Sequence, residues 1–130
     1  MNNFVFLAQQ RFYDGLSFQR VVPNFVAQAG APKADGTGGP GYGIPTESSP
    51  LQHDEGAVAV AITEDKTAAN TSGSQFYVAL AALPQQNGHD TVFGHLTSGL
   101  DILKTLPARD PKDSTGPAPL TIQSITISKQ

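Results

Sequence analysis

Two polar side chains sit in a stretch whose other residues read as core. The run from Phe18 to Gly30, FQRVVPNFVAQAG, is mostly apolar, yet it carries Arg20 and, eight residues on, Gln28. A guanidinium is a permanently protonated planar donor, and a primary amide both donates and accepts. Such a pair holds and polarises; it does not attack. Taken alone, an arginine on a strand belongs on a solvated outer face, so the pair needs a context. The usual reactive constellations do not supply one. His53, His89 and His95 show no ligand spacing, and His53-Asp54-Glu55 reads as a loop fragment. No G-x-S-x-G nucleophile elbow occurs. The run GTGGPGYG at 36–43 lacks the Lys-Ser/Thr and the helical pattern that must follow a phosphate-binding loop.

The chain that must position Arg20 and Gln28 has 130 residues, enough for one domain with one core. We read 1–130 as that single domain. It is 38% hydrophobic and only 15% charged, too apolar and too weakly charged for a disordered chain. The net charge is −3, and no basic run or basic-aromatic stripe marks a nucleic-acid binder. Without cysteine there is neither a disulfide framework nor a thiolate zinc site. No apolar run approaches membrane-spanning length, and the first residues lack the layout of a signal peptide. As written, the chain is expected in the cytoplasm; a longer form with a leader or anchor before Met1 would change that.

The pattern along the chain predicts short strands joined by long loops. MNNFVFLAQQRFYDG places Phe4, Leu7 and Ala8 on one helical face, and Asp14-Gly15 is the expected stop. LSFQRVV (16–22) and FVAQA (25–29) are strand-like runs broken at Pro23-Asn24. GAVAVAI (56–62), SQFYVAL (74–80) and TVFGHL (91–96) are further strands, and PLTIQSITIS (119–128), with Leu120, Ile122, Ile125 and Ile127 alternating imperfectly, is the expected terminal one. SGLDILKTL (98–106) is a second short helix closed by Pro107. Residues 30–50 and 63–73 read as loops, rich in glycine and proline in the first case. The expected fold is mainly β, a barrel or sandwich with two peripheral helices.

Five stretches taken in order carry more. FQRVVPNFVAQAG, GTGGPGYGIPTE, HDEGAVAVA, NTSGSQFYV and HDTVFGHLTSGLDIL each resemble a signature of the cyclophilins, the peptidyl-prolyl isomerases, and the resemblance spans nearly all of residues 2–128. It implies an antiparallel β-barrel, a reaction on X-Pro peptide bonds in proline-containing polypeptides, and no cofactor. It implies that Arg20 is the catalytic donor to the proline nitrogen and that Gln28 binds substrate backbone while orienting Arg20. Phe25 and Val26 match the floor of a proline pocket, Val26 standing where many relatives carry methionine. Ala61 and Ile62 match a backbone edge that pairs with substrate, with Ile62 in place of a usual asparagine. Gln75 and Tyr77 match the fourth signature, Tyr77 replacing a phenylalanine. Strand alternation then turns Phe76 the other way, into the core. Thr37 takes a supporting place near the groove.

The chain also departs from the pattern. ITEDKTAAN, following Ala61, is longer than in many relatives. In LPQQNGHDTVFG, Gln85 falls where an aromatic is usual, Gln86 where leucine is usual, and Asp90 where the pocket histidine is usual, with His89 one place early. Gln85 in place of an indole implies weak or no binding of cyclosporin. The resemblance places a β-hairpin before the first helix, and the sequence starts inside that helix. The expectation is therefore a barrel lacking two strands, an open six-stranded sheet whose exposed edges allow self-association, where an intact domain would be monomeric. The function implied is an isomerase assisting folding; the alternative of another class is a module that holds proline segments without turnover.

Overall fold

The structure, a computed structural model, describes residues 2–31, 51–61, 74–84, 91–109 and 120–128. Its elements run α1 (Asn2–Gln9), β1 (Arg20–Val22), β2 (Val26–Ala29), β3 (Ala57–Val60), β4 (Phe76–Ala79), β5 (Val92–His95) and α2 (Leu100–Lys104). The strands form one antiparallel sheet in the order β1-β2-β4-β3-β5. β4 lies at its centre and all four of its residues are buried, as an unbroken apolar run requires when both faces are covered.

Local chemistry sets the ends of the elements. α1 stops earlier than its sequence suggests. Phe12 N donates to Leu7 O and Arg11 N to Ala8 O, with Arg11 at φ 61°. That is the Schellman arrangement, with the left-handed residue just past the helix. Leu7 belongs to a buried apolar cluster, and Phe12 packs against that same cluster. β1 and β2 form a hairpin turned by Pro23 and Asn24. Phe25 N bonds Val22 O at 3.0 Å and Asn24 has φ 61°, the type II pattern with proline first and asparagine second. In α2, Asp101 in the first turn and Lys104 in the last both suit the helix dipole.

Register divides the sheet into two faces. Arg20 pairs with Gln28, Gln28 with Tyr77, Tyr77 with Ala59 and Ala59 with Val92, so these five residues form one row across all five strands on the front. The next row, Val21, Ala27, Val78, Val58 and Gly94, belongs to the back. Both helices pack on the back. α1 brings Leu7 and Ala8 to Tyr13, Ala29, Phe76 and Ile122; α2 brings Leu103 to Val21, Ala27, Val78 and Leu80. Phe4, Tyr13 and Phe76 meet at 5.3–5.5 Å between ring centres, a spacing at which tilted and edge-on aromatic pairs add to burial. Phe76 thus serves the back core while Tyr77 faces front.

Of the terminal strand expected over 119–128, the described residues 120–128 do not form a strand. Among the described residues it is a single bridge, Thr121 opposite Ser17, flanked by bonds from Ile122 N to Leu16 O and from Phe18 N to Leu120 O. The described sheet therefore has five strands, not six. Ile122, Ile125 and Ile127 instead pack side-on against the α1 cluster. The isoleucines of the pattern turn inward, but Leu120 is exposed, and an imperfect alternation could not report whether a strand lies alongside.

Candidate active site

Arg20 begins β1, half buried on the front face. Two contacts hold its guanidinium. Cζ lies 5.9 Å from the centre of the Phe25 ring, within cation–π range. One terminal nitrogen donates to Gln28 Oε1 at 3.4 Å. The Gln28 amide is held in turn, because its Nε2 donates to Gln75 Oε1 at 2.8 Å. Since the amide nitrogen faces Gln75, the oxygen must face Arg20, which is the orientation that accepts from a cation. Phe25 is fixed through its own main chain, its carbonyl accepting from Leu80 N at 2.8 Å.

Beside this polar line lies an apolar floor. Val26, Ala57, Ala59, Ala61, Tyr77, Ala79, Leu83 and Val92 form one buried cluster, with Phe25 packed on its margin. Four of these residues are alanines, so the sheet offers little side-chain bulk there and the large groups, Phe25 and Tyr77, give the surface its shape. Ala61 N donates to Gln75 O at 2.9 Å, which extends the ladder one residue past β3. The arrangement is a planar, permanently charged donor fixed next to a partly dried apolar surface. It can bind an apolar ring and direct hydrogen bonds at an atom of that ring's neighbouring backbone. Among the described residues no group of His, Asp or Glu side chains is placed to hold a metal ion.

Of the residues singled out from the sequence, Arg20, Phe25, Val26, Gln28, Ala61, Gln75 and Tyr77 come together on this face. Ile62, Gln85, Gln86, His89, Asp90 and Thr37 lie outside the described residues. Three residues at the site escaped the sequence reading. His53 is 2% exposed and its ring stacks on Tyr77, with centres 6.2 Å apart and planes 17° apart. Leu83 N bonds its carbonyl at 2.7 Å, joining two loops behind the floor. Gln19 is 1% exposed beside the arginine. With its amide turned to satisfy both ends, its nitrogen donates to the main-chain oxygens of Ser17 (3.0 Å) and Gln28 (3.2 Å). Ser74 is buried next to Gln75 and donates from Oγ to Gly30 O at 2.7 Å. Gln19 and Ser74 lie next to residues that were singled out, and His53 opens the signature stretch HDEGAVAVA but was read as an ordinary loop residue.

Comparison with known proteins points to one family. A family model described as cyclophilin type peptidyl-prolyl cis-trans isomerase/CLD matches residues 1–127. The chain is 46% identical over 110 residues to peptidyl-prolyl cis-trans isomerase B of Bacillus subtilis, covering 83% of this chain and 74% of that one. It is 42% identical over 114 residues to a peptidyl-prolyl cis-trans isomerase of Helicobacter pylori, covering 85% and 68%. Among solved structures it is similar to a cyclophilin type isomerase of Cryptosporidium parvum, crystallised in the presence of the dipeptide Ala-Pro. The TM-score is 0.83 at 30% identity, with 99% of this chain and 84% of that one covered.

Proposed function

The chain belongs to the cyclophilin-type peptidyl-prolyl cis-trans isomerase family, and on that premise we propose which of its residues perform the reaction and how. The reaction is rotation about the X-Pro peptide bond. Resonance holds that bond planar against a barrier of about 18–20 kcal/mol, and uncatalysed rotation takes roughly tens to hundreds of seconds. Halfway round, the nitrogen has lost conjugation, becomes pyramidal and regains its lone pair. A donor aimed at that lone pair stabilises the transition state and does little for the planar ground state.

Arg20 is that donor. The observation that carries the assignment is the pair of restraints on its guanidinium, the Phe25 ring on one side and the Gln28–Gln75 amide line on the other. A donor held in advance spends no free energy on reorganising during the rotation. Phe25, Val26 and Tyr77 receive the pyrrolidine ring, Ala61 offers its backbone edge to the substrate chain, and Gln28 and Gln75 bind the flanking backbone. Ile62, Gln85, Gln86 and His89 complete the edge and wall on the sequence resemblance alone. The ligands are proline-containing polypeptides; the Ala-Pro dipeptide present with the Cryptosporidium neighbour supports this. No helix among the described residues is long and apolar enough to cross a membrane.

The test is a protease-coupled isomerisation assay. Arg20→Ala should lower kcat/KM by about a hundredfold or more, the scale of deleting one transition-state donor. Arg20→Lys should recover little, because a point charge lacks the planar fork. Unchanged turnover in Arg20→Ala would sink the assignment. Cyclosporin should bind weakly, since Gln85 offers an amide where the family places an indole, and Gln85→Trp should tighten it. Calorimetric titration showing tight binding by the unaltered protein would remove Gln85 from the wall.

A further inference from the structure

The catalytic arginine is held by Gln28, and Gln28 by Gln75, so the arrangement is only as well placed as Gln75. Bonds to both residues moor the dipeptide Ser74-Gln75. Tyr13 donates from its hydroxyl to Ser74 O at 2.9 Å, and Ser74 donates from Oγ to Gly30 O at 2.7 Å. Ala61 N donates to Gln75 O at 2.9 Å, and Gln28 Nε2 donates to Gln75 Oε1 at 2.8 Å. Ser74 is 3% exposed and Tyr13 1%. Gly30, two residues beyond Gln28, approaches so closely that a Cβ on it would lie 2.5 Å from Ser74 O. The segment before β4 is therefore docked on the end of β2 by backbone contact as well as by side chains, at the point where the front-face amide line begins.

From this geometry we propose that Tyr13 and Ser74 are positioning residues for catalysis. Their hydroxyls fix where β4 starts, and so fix the Gln75 oxygen that orients the Gln28 amide and, through it, the Arg20 guanidinium. Tyr13 lies on the segment between α1 and β1, its ring in the back-face core with Phe4 and Phe76. The catalytic donor on the front is thus tied to the aromatic core on the back by a chain of named bonds: Tyr13 to Ser74, Gln75 to Gln28, Gln28 to Arg20. Removing either hydroxyl deletes one bond and leaves the shape of the side chain almost unchanged. The guanidinium then keeps its charge but loses alignment, which affects the transition state more than substrate binding.

The proposal rests on the assignment of Arg20, and the experiment separates the two. Tyr13→Phe and Ser74→Ala are each made in the unaltered protein and in a Gln28→Ala background, and isomerisation is measured together with thermal unfolding. In the unaltered protein each should lower kcat/KM about three- to tenfold, chiefly through kcat, as coupled neighbours do. In the Gln28→Ala background each should change kcat/KM by less than about twofold, because the connection to Arg20 is already cut. A loss of the same factor in both backgrounds, or a lowered Tm with unchanged kcat/KM, overturns the positioning role while leaving Arg20 in place. Full activity in Arg20→Ala overturns the assignment beneath it.

Discussion

A single hydrogen in place of a methyl sets the geometry at Gly30. Its φ is +99°, in the region that side chains rarely enter, and a Cβ there would meet Ser74 O at 2.5 Å and Gln75 Cα at 3.0 Å. Strain of this kind costs about 1–3 kcal/mol, and the clash is with backbone, which cannot swing aside. Gly30→Ala should lose roughly 2–4 kcal/mol in denaturant unfolding, within the range of substitutions at special backbone positions. It should also lower kcat/KM, since the displaced atoms belong to the Ser74-Gln75 mooring. A stability change under about 0.5 kcal/mol, the range of an indifferent surface site, would mean that β2 and β4 part easily here. Much of the site was legible at this scale. Arg20 and Gln28 stood out as polar residues in an apolar run, Phe25, Gln75 and Tyr77 were marked only through the family resemblance, and the structure gathers all five on one face. Tyr13, Ser74 and His53 were not marked, because tyrosine, serine and histidine have ordinary reasons to occur in such segments. Their roles come from partners as far as 61 residues away in the chain.

At the scale of elements, the distance from Arg20 to Gln28 follows from one turn. A three-residue connection, Pro23 to Phe25, brings residues eight apart opposite each other. Proline with asparagine was the visible cause. The end of α1 was not visible in the same way. The expected stop was Asp14-Gly15, since glycine is the usual left-handed residue past a helix. The structure places that residue at Arg11, φ 61°, and two apolar neighbours, Leu7 and Phe12, make the closure worthwhile. A left-handed conformation costs a side-chain-bearing residue about 1–2 kcal/mol relative to the right-handed one. Arg11→Gly removes that strain and adds some unfolded-state entropy. The net should be stabilising by roughly 0.5–1 kcal/mol, seen as a Tm higher by a few degrees with activity intact. A lowered Tm would mean that the Arg11 side chain makes a contribution greater than its strain. The same reasoning explains the lost terminal strand. Ile122 is buried, and Ile125 and Ile127 partly buried, by packing on the α1 cluster, with no strand needed beside them.

For the molecule as a whole, the sheet order decides how firmly the active site is held. β4 lies between β2 and β3, whereas β1 and β5 are the edges of the described sheet. An edge strand usually opens before a central one, and Arg20, the proposed catalytic donor, stands on an edge. The outer side of β1 is covered, however. Val21 N donates to Arg109 O at 3.0 Å and Arg109 N to Val21 O at 2.9 Å, while Phe18 N reaches Leu120 O at 2.9 Å. On β5, Leu96 N donates inward to Gly56 O at 2.9 Å, so alternation turns the amide of His95 away from β3. Native-state hydrogen exchange should therefore rank Val78 in β4 as most protected, Val21 next, and His95 least. The order follows from the number of bonds that must break to expose each amide. Val21 is the informative case, because its protection measures whether the strand carrying Arg20 is held from both sides. If Val21 exchanges as fast as His95, the bridge to Arg109 opens freely in solution. The placement of Arg20 would then come from Phe25, Gln28 and Gln75 alone, and substitutions around Arg109 would leave catalysis unchanged.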